Sequence, residues 1–218
     1  MKIGRLVSRP KKLANMKKVA FLSSFFLVLS AKAEITLQGG DILLQPLNCR
    51  LCSLIESEEQ SIYSHMGVVV QTQPEVLVAE AWFTVTAKPF AEFNKKTEKG
   101  QKLKLLRFRN DRITQDILNN ADKLWTLFQQ DFAGKKYDSA YLWNNFDENG
   151  NEMLYCSELV SKLYQAFLGL EMPIKRMHFS RNRDAWDVHF RGHTPVDQWG
   201  NSPADYDKSD LFYAVGEL

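Results

Sequence analysis

Cys156 stands at the start of a segment whose apolar residues predict a helix. The residues Val160, Leu163, Tyr164 and Phe167 follow it at a spacing of three to four, which marks one buried helical face. Free N–H groups at a helix N-terminus favour thiolate over thiol, lower the pKa of a cysteine and can hold an oxyanion. This position predicts the nucleophile of a cysteine hydrolase. The alternative is a small buried core residue, since free cysteine is among the most buried residue types.

His65 and Glu80 are the second pair of residues that could do chemistry. His65 begins a predicted strand, and Glu80 lies near the end of a second predicted strand over residues 76–81, with a turn at 73–75 between them. In an antiparallel hairpin of this length the start of one strand lies beside the end of the next. A carboxylate beside an imidazole fixes its tautomer and stabilises the imidazolium. Each of the two residues also has an ordinary explanation. His65 could be a hydrogen-bonded strand histidine, and Glu80 could be a surface charge at a strand end.

Cys49 and Cys52 form a C-x-x-C pair at the start of a short amphipathic helix predicted over residues 49–60. As a zinc half-site the pair lacks a second pair at a usual spacing, and as a thioredoxin-like redox site it lacks the preceding βαβ strand. A structural disulfide or two packed thiols is the favoured interpretation. If the two cysteines pair with each other, Cys156 is left as a free thiol.

The N-terminus has the pattern of a secretory signal peptide. Lysines next to Met16 precede an apolar run over residues 19–29, and an A-x-A cleavage site ends at Ala33. The run is too short to span a membrane as a helix. We therefore predict a signal peptide over residues 1–33 and one domain over residues 34–218. The true start is either Met1 or Met16.

Removal of the signal peptide changes the sign of the net charge. The whole chain of 218 residues has a formal charge of +2, but residues 34–218 hold 20 Lys and Arg against 26 Asp and Glu, a net charge of −6. An acidic mature protein gives no electrostatic argument for binding nucleic acid. We predict a periplasmic or secreted protein with no stable membrane span after cleavage and an unknown oligomeric state.

The remaining pattern predicts a mixed α and β domain. Strands are expected over residues 42–44, 103–108 and 211–215, and the clearest helix over 114–132, with Thr114 as its N-cap. The basic residues of the second of these strands are expected on a solvated face: Lys102, Lys104, Arg107 and Arg109. We treat Asp41 and Asp138 as turn residues. The irregular tail over residues 172–208 is too long for a plain loop, so we expect it to cover the site or the sheet edge.

The order of several short motifs resembles the circularly permuted NlpC/P60 group of papain-like cysteine hydrolases, and most closely the YiiX/YaeF-like amidases. The similarity covers about residues 39–170, and the histidine precedes the cysteine, as it does in the permuted group. The motifs are Gly40-Asp41-Ile42-Leu43, Tyr63-Ser64-His65-Met66-Gly67-Val68, Ala79-Glu80-Ala81, Gly134 with Tyr137-Asp138, and Tyr155-Cys156-Ser157-Glu158-Leu159-Val160.

The resemblance implies a fold, a set of roles and a substrate class. The implied fold is α+β and papain-like, with a central antiparallel sheet or small barrel and the nucleophile helix packed on it. Cys156 matches the nucleophile, His65 the general base and Glu80 the residue that orients the imidazole. Tyr63, two residues before His65, would border the substrate pocket if the strand begins that early, although core packing explains it equally well.

The expected reaction is hydrolysis of an amide, or of an ester, through a Cys156 thioester, with no cofactor and no metal. The resemblance implies a cell-envelope substrate such as a peptidoglycan stem peptide, and the alternative is a lipid amide or ester hydrolase or an acyltransferase on the same fold. Two other hypotheses stay open. One is a non-catalytic envelope-binding module on the same fold, and the other is a redox protein that uses Cys49 and Cys52.

Overall fold

A computed structural model of the protein describes Met1 and residues 35–218; the predicted signal peptide lies outside the described residues. A six-stranded antiparallel sheet, in the order β10-β5-β1-β2-β3-β4, forms the centre of the domain. Its strands are β1 (Ile42–Gln45), β2 (His65–Gln71), β3 (Leu77–Ala81), β4 (Val85–Pro89), β5 (Lys104–Phe108) and β10 (Phe212–Glu217). Two small two-stranded sheets pair β6 (Asn145–Phe146) with β7 (Glu152–Met153) and β8 (Lys175–Met177) with β9 (Gln198–Gly200).

The helices are α1 (Arg50–Glu59), α2 (Phe90–Asn94), α3 (Asp111–Asn119), α4 (Ala121–Leu127), α5 (Cys156–Leu168), α6 (Arg183–His189) and α7 (Pro203–Asp207), with a π-helical turn at Phe128–Phe132. Helices α4 and α5 pack against β2. The predicted α+β fold with a central antiparallel sheet and a helix packed on it is thus confirmed, and the sheet is open rather than a closed barrel.

The sheet buries apolar side chains on both faces because successive side chains of a strand point to opposite faces. Ile42 and Leu44 of β1 join the larger core cluster with the α5 side chains, whereas Leu43 joins a smaller cluster on the other face with Phe93. The first part of helix α5, from Cys156 to Ser161, is buried on every side, and Leu163 and Tyr164 continue the buried face. This packing fixes the start of α5 relative to the start of β2.

The single helix predicted over residues 114–132 is wrong in its start and its continuity. The helix begins at Asp111, because the Asn110 side chain accepts a hydrogen bond from the Arg112 backbone N–H and so caps the helix. It is interrupted at Asn120, whose side-chain amide donates to the backbone carbonyl of Asp116. Asparagine side chains compete with helical backbone bonds in this way. Thr114 lies inside the helix and not at its cap.

Arg107 does not lie on a solvated face as predicted. Its Nε and Nη2 donate to the two oxygens of Asp41 at 2.7 and 2.8 Å, and Asp41 is buried in the turn before β1. Burial raises the pKa of Asp41, and the hydrogen bonds from Arg107 oppose that rise. Strand alternation predicts the face of a residue but not how far a long side chain reaches, and Arg107 reaches across to a neighbouring turn.

The tail after α5 covers the start of that helix. The Ser157 hydroxyl donates to the Asn201 backbone carbonyl at 3.0 Å, and the Tyr206 hydroxyl donates to the Ser157 backbone carbonyl at 2.9 Å. Phe179 and Trp186 are buried. The tail is therefore a packed part of the domain, as its length led us to expect. Among the described residues, no helix combines the length and the apolar character that a membrane span requires.

Candidate active site

Cys156 is the first residue of α5, and its side chain is only 7% exposed. The preceding Tyr155 is extended and makes no side-chain cap, so the first N–H groups of the helix have no partner from the capping residue. A sulfur placed here lies in the positive field of the helix N-terminus. The local sequence predicted this position, because the apolar spacing that begins after Cys156 fixes where the helix starts.

The direction of the Cys156 pKa differs from the sequence-based expectation. Burial raises the pKa of the thiol to about 11, although the backbone N–H groups of Met66, Ser157 and Cys156 itself act to lower it. The negative charge of Glu80 adds to the rise. Desolvation of the thiolate therefore outweighs the helix N-terminus in this closed site. Cys156 is a neutral thiol here, and a thiol in this state would need a base to act as a nucleophile.

His65 and Glu80 are in contact across the β2–β3 hairpin. The antiparallel pairing of Val68 with Ala79 places the start of β2 at the same end of the hairpin as the end of β3. The Nε2 atom of His65 lies 2.8 Å from Oε2 of Glu80, and both side chains are almost wholly buried. The spacing of 15 residues in the sequence corresponds to this contact.

Glu80 is ionised, which sets the tautomer of the imidazole. Burial alone would raise the pKa of Glu80, but hydrogen bonds from His65 and Lys96 lower it to about 2. A carboxylate only accepts hydrogen bonds, so Nε2 of His65 carries the hydrogen and Nδ1 has a free lone pair. Burial lowers the pKa of His65 and keeps the ring neutral, although Glu80 opposes that shift. A neutral imidazole with a free Nδ1 is a competent base.

Aromatic rings fix the orientation of the imidazole on two sides. The Trp82 ring meets His65 edge-on at a centroid distance of 5.1 Å, and the Phe93 ring stacks on it at 5.8 Å. The Lys96 ammonium also contacts Glu80 and lies over Trp82 and Phe93. None of these three residues belongs to a motif that can be recognised in the sequence. Their segment is a strand end and a short helix with no recognisable motif.

Cys156 and His65 line one cavity with an empty volume of about 640 Å³, including the space open to solvent at its mouth. Its walls come from α1, the hairpin, the loop before β6 and the tail. They are mainly apolar: Leu51, Cys52, Ile55, Trp82, Tyr137, Tyr141, Tyr155, Met177, Phe179, Trp186 and Pro203. Tail residues form much of this wall, although they are distant in sequence from His65 and Glu80.

Tyr63 does not line this cavity, contrary to its predicted place in the substrate pocket. Strand β2 begins at His65, so Tyr63 precedes the strand and the two-residue alternation does not apply to it. Its ring is buried in the larger core cluster. Tyr63 therefore packs in the core, which was the alternative to a place in the substrate pocket.

Tyr137 and Tyr141 form a hydroxyl pair on the cavity wall. Their hydroxyl oxygens lie 2.8 Å apart, and burial raises both pKa values, so both groups stay protonated. The Asp138 carboxylate accepts the backbone N–H groups of Ala140 and Leu142, each at 2.8 Å. Asp138 thus acts as the turn residue that shapes this loop, and the turn presents Tyr141 to the cavity. In the sequence, the motif Tyr137-Asp138 marked this loop but not the contact between the two hydroxyl groups.

The two remaining cysteines form a disulfide on the cavity wall. Cys49 and Cys52 are bonded through their sulfur atoms, and Cys156 is the free cysteine of the described residues. Cys49 also caps α1, since its sulfur accepts the Cys52 backbone N–H at 3.0 Å. Residues 35–218 contain no group of three or more His, Cys, Asp or Glu side chains placed to hold a metal ion.

A family model described as "Permuted papain-like amidase enzyme, YaeF/YiiX, C92 family" matches residues 36–202. The chain belongs to this family. The match covers the hairpin, the cavity wall, α5 and much of the tail. Membership of the permuted papain-like amidase family supports a hydrolase of the amidase or peptidase type, and it agrees with the resemblance seen in the sequence motifs.

Two relatives of this permuted papain-like amidase come from Escherichia coli. The uncharacterized protein YiiX of strain K12 is 26% identical over 135 residues, which are 62% of this chain and 61% of YiiX. The chain thus matches about three-fifths of the length of that relative. A crystal structure described as the metalloprotein yiiX of strain O157:H7 superposes with a TM-score of 0.67 and 23% identity, covering 83% of this chain and 97% of the other. This likeness shows the shared fold.

Proposed function

We propose that the protein is an exported cysteine amidase in which Cys156 is the nucleophile, His65 the general base and Glu80 the residue that orients the base. The observation that carries the proposal is that His65, which contacts Glu80, lines the same cavity as Cys156. Cys156 lies there at the N-terminus of α5. A nucleophile, a base and a residue that orients the base are the set that covalent acyl transfer requires.

The reaction begins from a neutral thiol and a neutral imidazole. Nδ1 of His65 takes the thiol proton while the Cys156 sulfur attacks the acyl carbon. The ionised Glu80 stabilises the imidazolium that forms. His65 then gives the proton to the leaving amine, and a thioester remains on Cys156. Water, deprotonated by His65, hydrolyses the thioester and restores the free thiol.

The tetrahedral oxyanion has two sources of hydrogen bonds in this cavity. The first is the backbone N–H of Cys156 at the start of α5. The second is the Tyr137–Tyr141 pair, since two hydroxyl groups carry two hydrogens and only one is needed for the bond between them. Loss of one oxyanion donor typically costs about 10²–10³ in kcat.

The first test of the proposed function is the pH dependence of Cys156 alkylation by iodoacetamide without reductant, where Cys49 and Cys52 remain a disulfide. The pKa of the buried thiol is raised to about 11, so an unassisted thiol would react only in strongly alkaline solution. The pKa of His65 is lowered below 6.5, so a neutral base is present above that range. We expect alkylation to increase as His65 loses its proton and to persist through neutral pH.

His65→Ala is the matched variant for this measurement. We expect its alkylation to require alkaline pH, because no base is left beside the thiol. Identical pH profiles for the two proteins, both increasing only in alkali, would show that Cys156 and His65 do not act as a pair. The non-catalytic binding module would then be the better description.

The character of the cavity favours an apolar acyl group as the part of the substrate bound next to Cys156. A peptidoglycan stem peptide carries several charged groups, whereas the charged wall residues are Glu58 and Glu59, which are held by the tail. Apolar walls stabilise a hydrocarbon chain by about 0.8 kcal/mol per buried CH₂. The lipid amide or ester, our alternative from the sequence, is therefore the substrate class with specific support. The stem peptide stays a prediction.

A series of acyl amides of increasing chain length tests this substrate class. We expect kcat/KM to increase by about fourfold per methylene until the chain fills the cavity, as 0.8 kcal/mol per buried CH₂ implies. Phe179→Ala should flatten this dependence because Phe179 forms part of the wall. Phe83→Ala is the control, since Phe83 is 81% exposed and does not line the cavity. Faster cleavage of charged stem peptides, unaffected by Phe179→Ala, would favour the peptide substrate instead.

Export and a cell-envelope location belong to the same proposal. Support comes from the sequence alone, through the predicted signal peptide over residues 1–33 and a C-x-x-C pair that suits oxidising conditions. The related E. coli structure is described as a metalloprotein. In this chain the site consists of one cysteine, one histidine already bonded to Glu80, and tyrosines, and the described residues give no cluster of metal ligands. The residues of this site do not fit a metal centre.

A further inference from the structure

Lys96 joins the hydrogen-bonded pair of His65 and Glu80 from outside the cavity. Its Nζ atom donates to Oε2 of Glu80, the same oxygen that accepts from Nε2 of His65. The ammonium also lies 4.9 Å from the centroid of Trp82 and 5.3 Å from that of Phe93, the two rings that flank the imidazole. A cation over aromatic faces is held in place by their electrostatic attraction. Lys96 therefore has a fixed position behind the base.

We propose that Lys96 is a positioning residue of the reaction. Lys96 shares one oxygen of Glu80 with His65, and it thereby orients the carboxylate and limits how strongly the imidazole holds a proton. This inference rests on the proposed function of His65 as the base. Lys96 touches neither the cavity nor Cys156, so it acts through Glu80 and not on the substrate.

The charges around the pair explain why one lysine has this effect. The charged or titratable groups that face His65 and Glu80 are Lys96, Lys88 from β4 and Cys156 from α5. Lys88 is 3.9 Å from the other oxygen of Glu80 and is also paired with Glu92 at 3.2 Å, so its charge is shared. Lys96 is 24% exposed, and it makes the closer contact with the oxygen that His65 uses.

Two electrostatic effects of Lys96 act in the same direction. Its positive charge disfavours a second positive charge on His65 and adds to the lowering of the pKa of His65 by burial. Its hydrogen bond also uses part of the negative charge of Glu80 that would otherwise stabilise the imidazolium. Without Lys96, Glu80 would stabilise the imidazolium more strongly, and His65 would hold its proton to higher pH.

The decisive measurement is the titration of His65 by NMR in the Cys156→Ala background, with ¹³C-labelled histidine. The His65 resonance is the one that a His65→Gln variant lacks. We expect Lys96→Met to move this titration to higher pH, and Lys96→Arg, which keeps the charge, to remain close to the parent. Lys88→Met is the matched control and should produce a smaller rise, because Lys88 is farther from Glu80 and shared with Glu92.

Each outcome decides the role of Lys96. An unchanged titration in folded Lys96→Met would overturn the proposal and leave a purely structural ion pair. An equal rise in Lys88→Met would show a general effect of positive charge and would also overturn a specific role for Lys96. Thermal unfolding checks that each variant is folded, and Lys96→Gln replaces Lys96→Met if the latter is not.

The titration does not require hydrolysis, so it separates this proposal from the proposed function. If the titration shifts but the parent enzyme hydrolyses no acyl amide, the lysine acts as inferred and the assigned reaction is wrong. In the active enzyme, Lys96→Met should move the acidic limb of the kcat/KM profile to higher pH. Loss of orientation would add a decrease in kcat, up to about 100-fold for a displacement of 1 Å.

Discussion

We expect Cys156→Ala to abolish hydrolysis, with a loss of roughly 10⁴–10⁶ in kcat, because no other group on the cavity wall can form the thioester. The folded state should change little, since the substitution removes one small buried atom and leaves the helix start unchanged. Hydrolysis assays on acyl amides and thermal unfolding at neutral pH measure the two effects.

The pH dependence of stability gives this variant a second signature. Burial raises the pKa of the Cys156 thiol from 9.0 to about 11, so the folded state resists ionisation more than the unfolded chain does. The corresponding stability is fully present below pH 9 and is lost as the pH increases from about 9 to about 11. Cys156→Ala should lack this component of the alkaline loss.

Cys156→Ser separates chemistry from binding. The hydroxyl is a poorer nucleophile in the same place, so we expect hydrolysis to be lost while substrate still binds. Activity that survives in Cys156→Ala would exclude Cys156 as the nucleophile. Binding without hydrolysis in the parent protein would favour the envelope-binding module.

Glu80→Ala should have the largest effect on stability among the residues of the site. It leaves Lys96 and His65 without their shared partner, and removing one member of a buried ion pair typically costs about 3–5 kcal/mol. We expect about 3 kcal/mol here, because Lys96 and Lys88 are partly exposed and can bind water instead. Denaturant unfolding measures this loss, and kcat should decrease by up to about 10⁴-fold as the imidazole loses its orientation.

Two variants test the cause of these losses. Glu80→Gln keeps the size of the side chain and loses the charge, so it should restore part of the stability but little of the activity. Glu92→Gln is the matched control, because Glu92 is an exposed carboxylate that also contacts Lys88. A Glu80→Ala variant with normal stability and normal kcat would contradict the assigned role of Glu80.

The loss of folding stability at acid pH should also show the contribution of Glu80. Its pKa is lowered from 4.5 to about 2 in the folded state, so its contribution is fully present above pH 4.5 and is lost as the pH decreases toward 2. Glu80→Gln should lack this component. Unfolding free energies of both proteins between pH 5 and 2 provide the comparison.

The positions of the candidate catalytic residues could be predicted from the sequence because local rules fix each of them. The apolar spacing after Cys156 places that residue at a helix start, and α5 begins there. The turn between two short strands brings His65 beside Glu80, and the hairpin forms with that contact. The open antiparallel sheet and the permuted order also agree with the motifs.

Other features depended on residues that are distant in the sequence. The helix start alone predicted a low pKa for Cys156, whereas burial beneath the tail raises it. Strand alternation placed Tyr63 beside the pocket, but the strand begins only at His65. No motif marks Lys96 or Tyr141, and the Tyr137-Asp138 motif does not reveal the hydroxyl pair, because the roles of these residues come from where their segments pack.

The sequence by itself therefore determined the order of the candidate reacting groups and their places at a helix start and in a hairpin, through helix periodicity and hairpin geometry, which act over a few residues. Only the tertiary structure decided their protonation and their surroundings. Desolvation and Coulomb interactions depend on which side chains surround a site and exclude water from it, and here Trp186 and Phe179 come from the tail whereas Lys96 comes from the segment after α2.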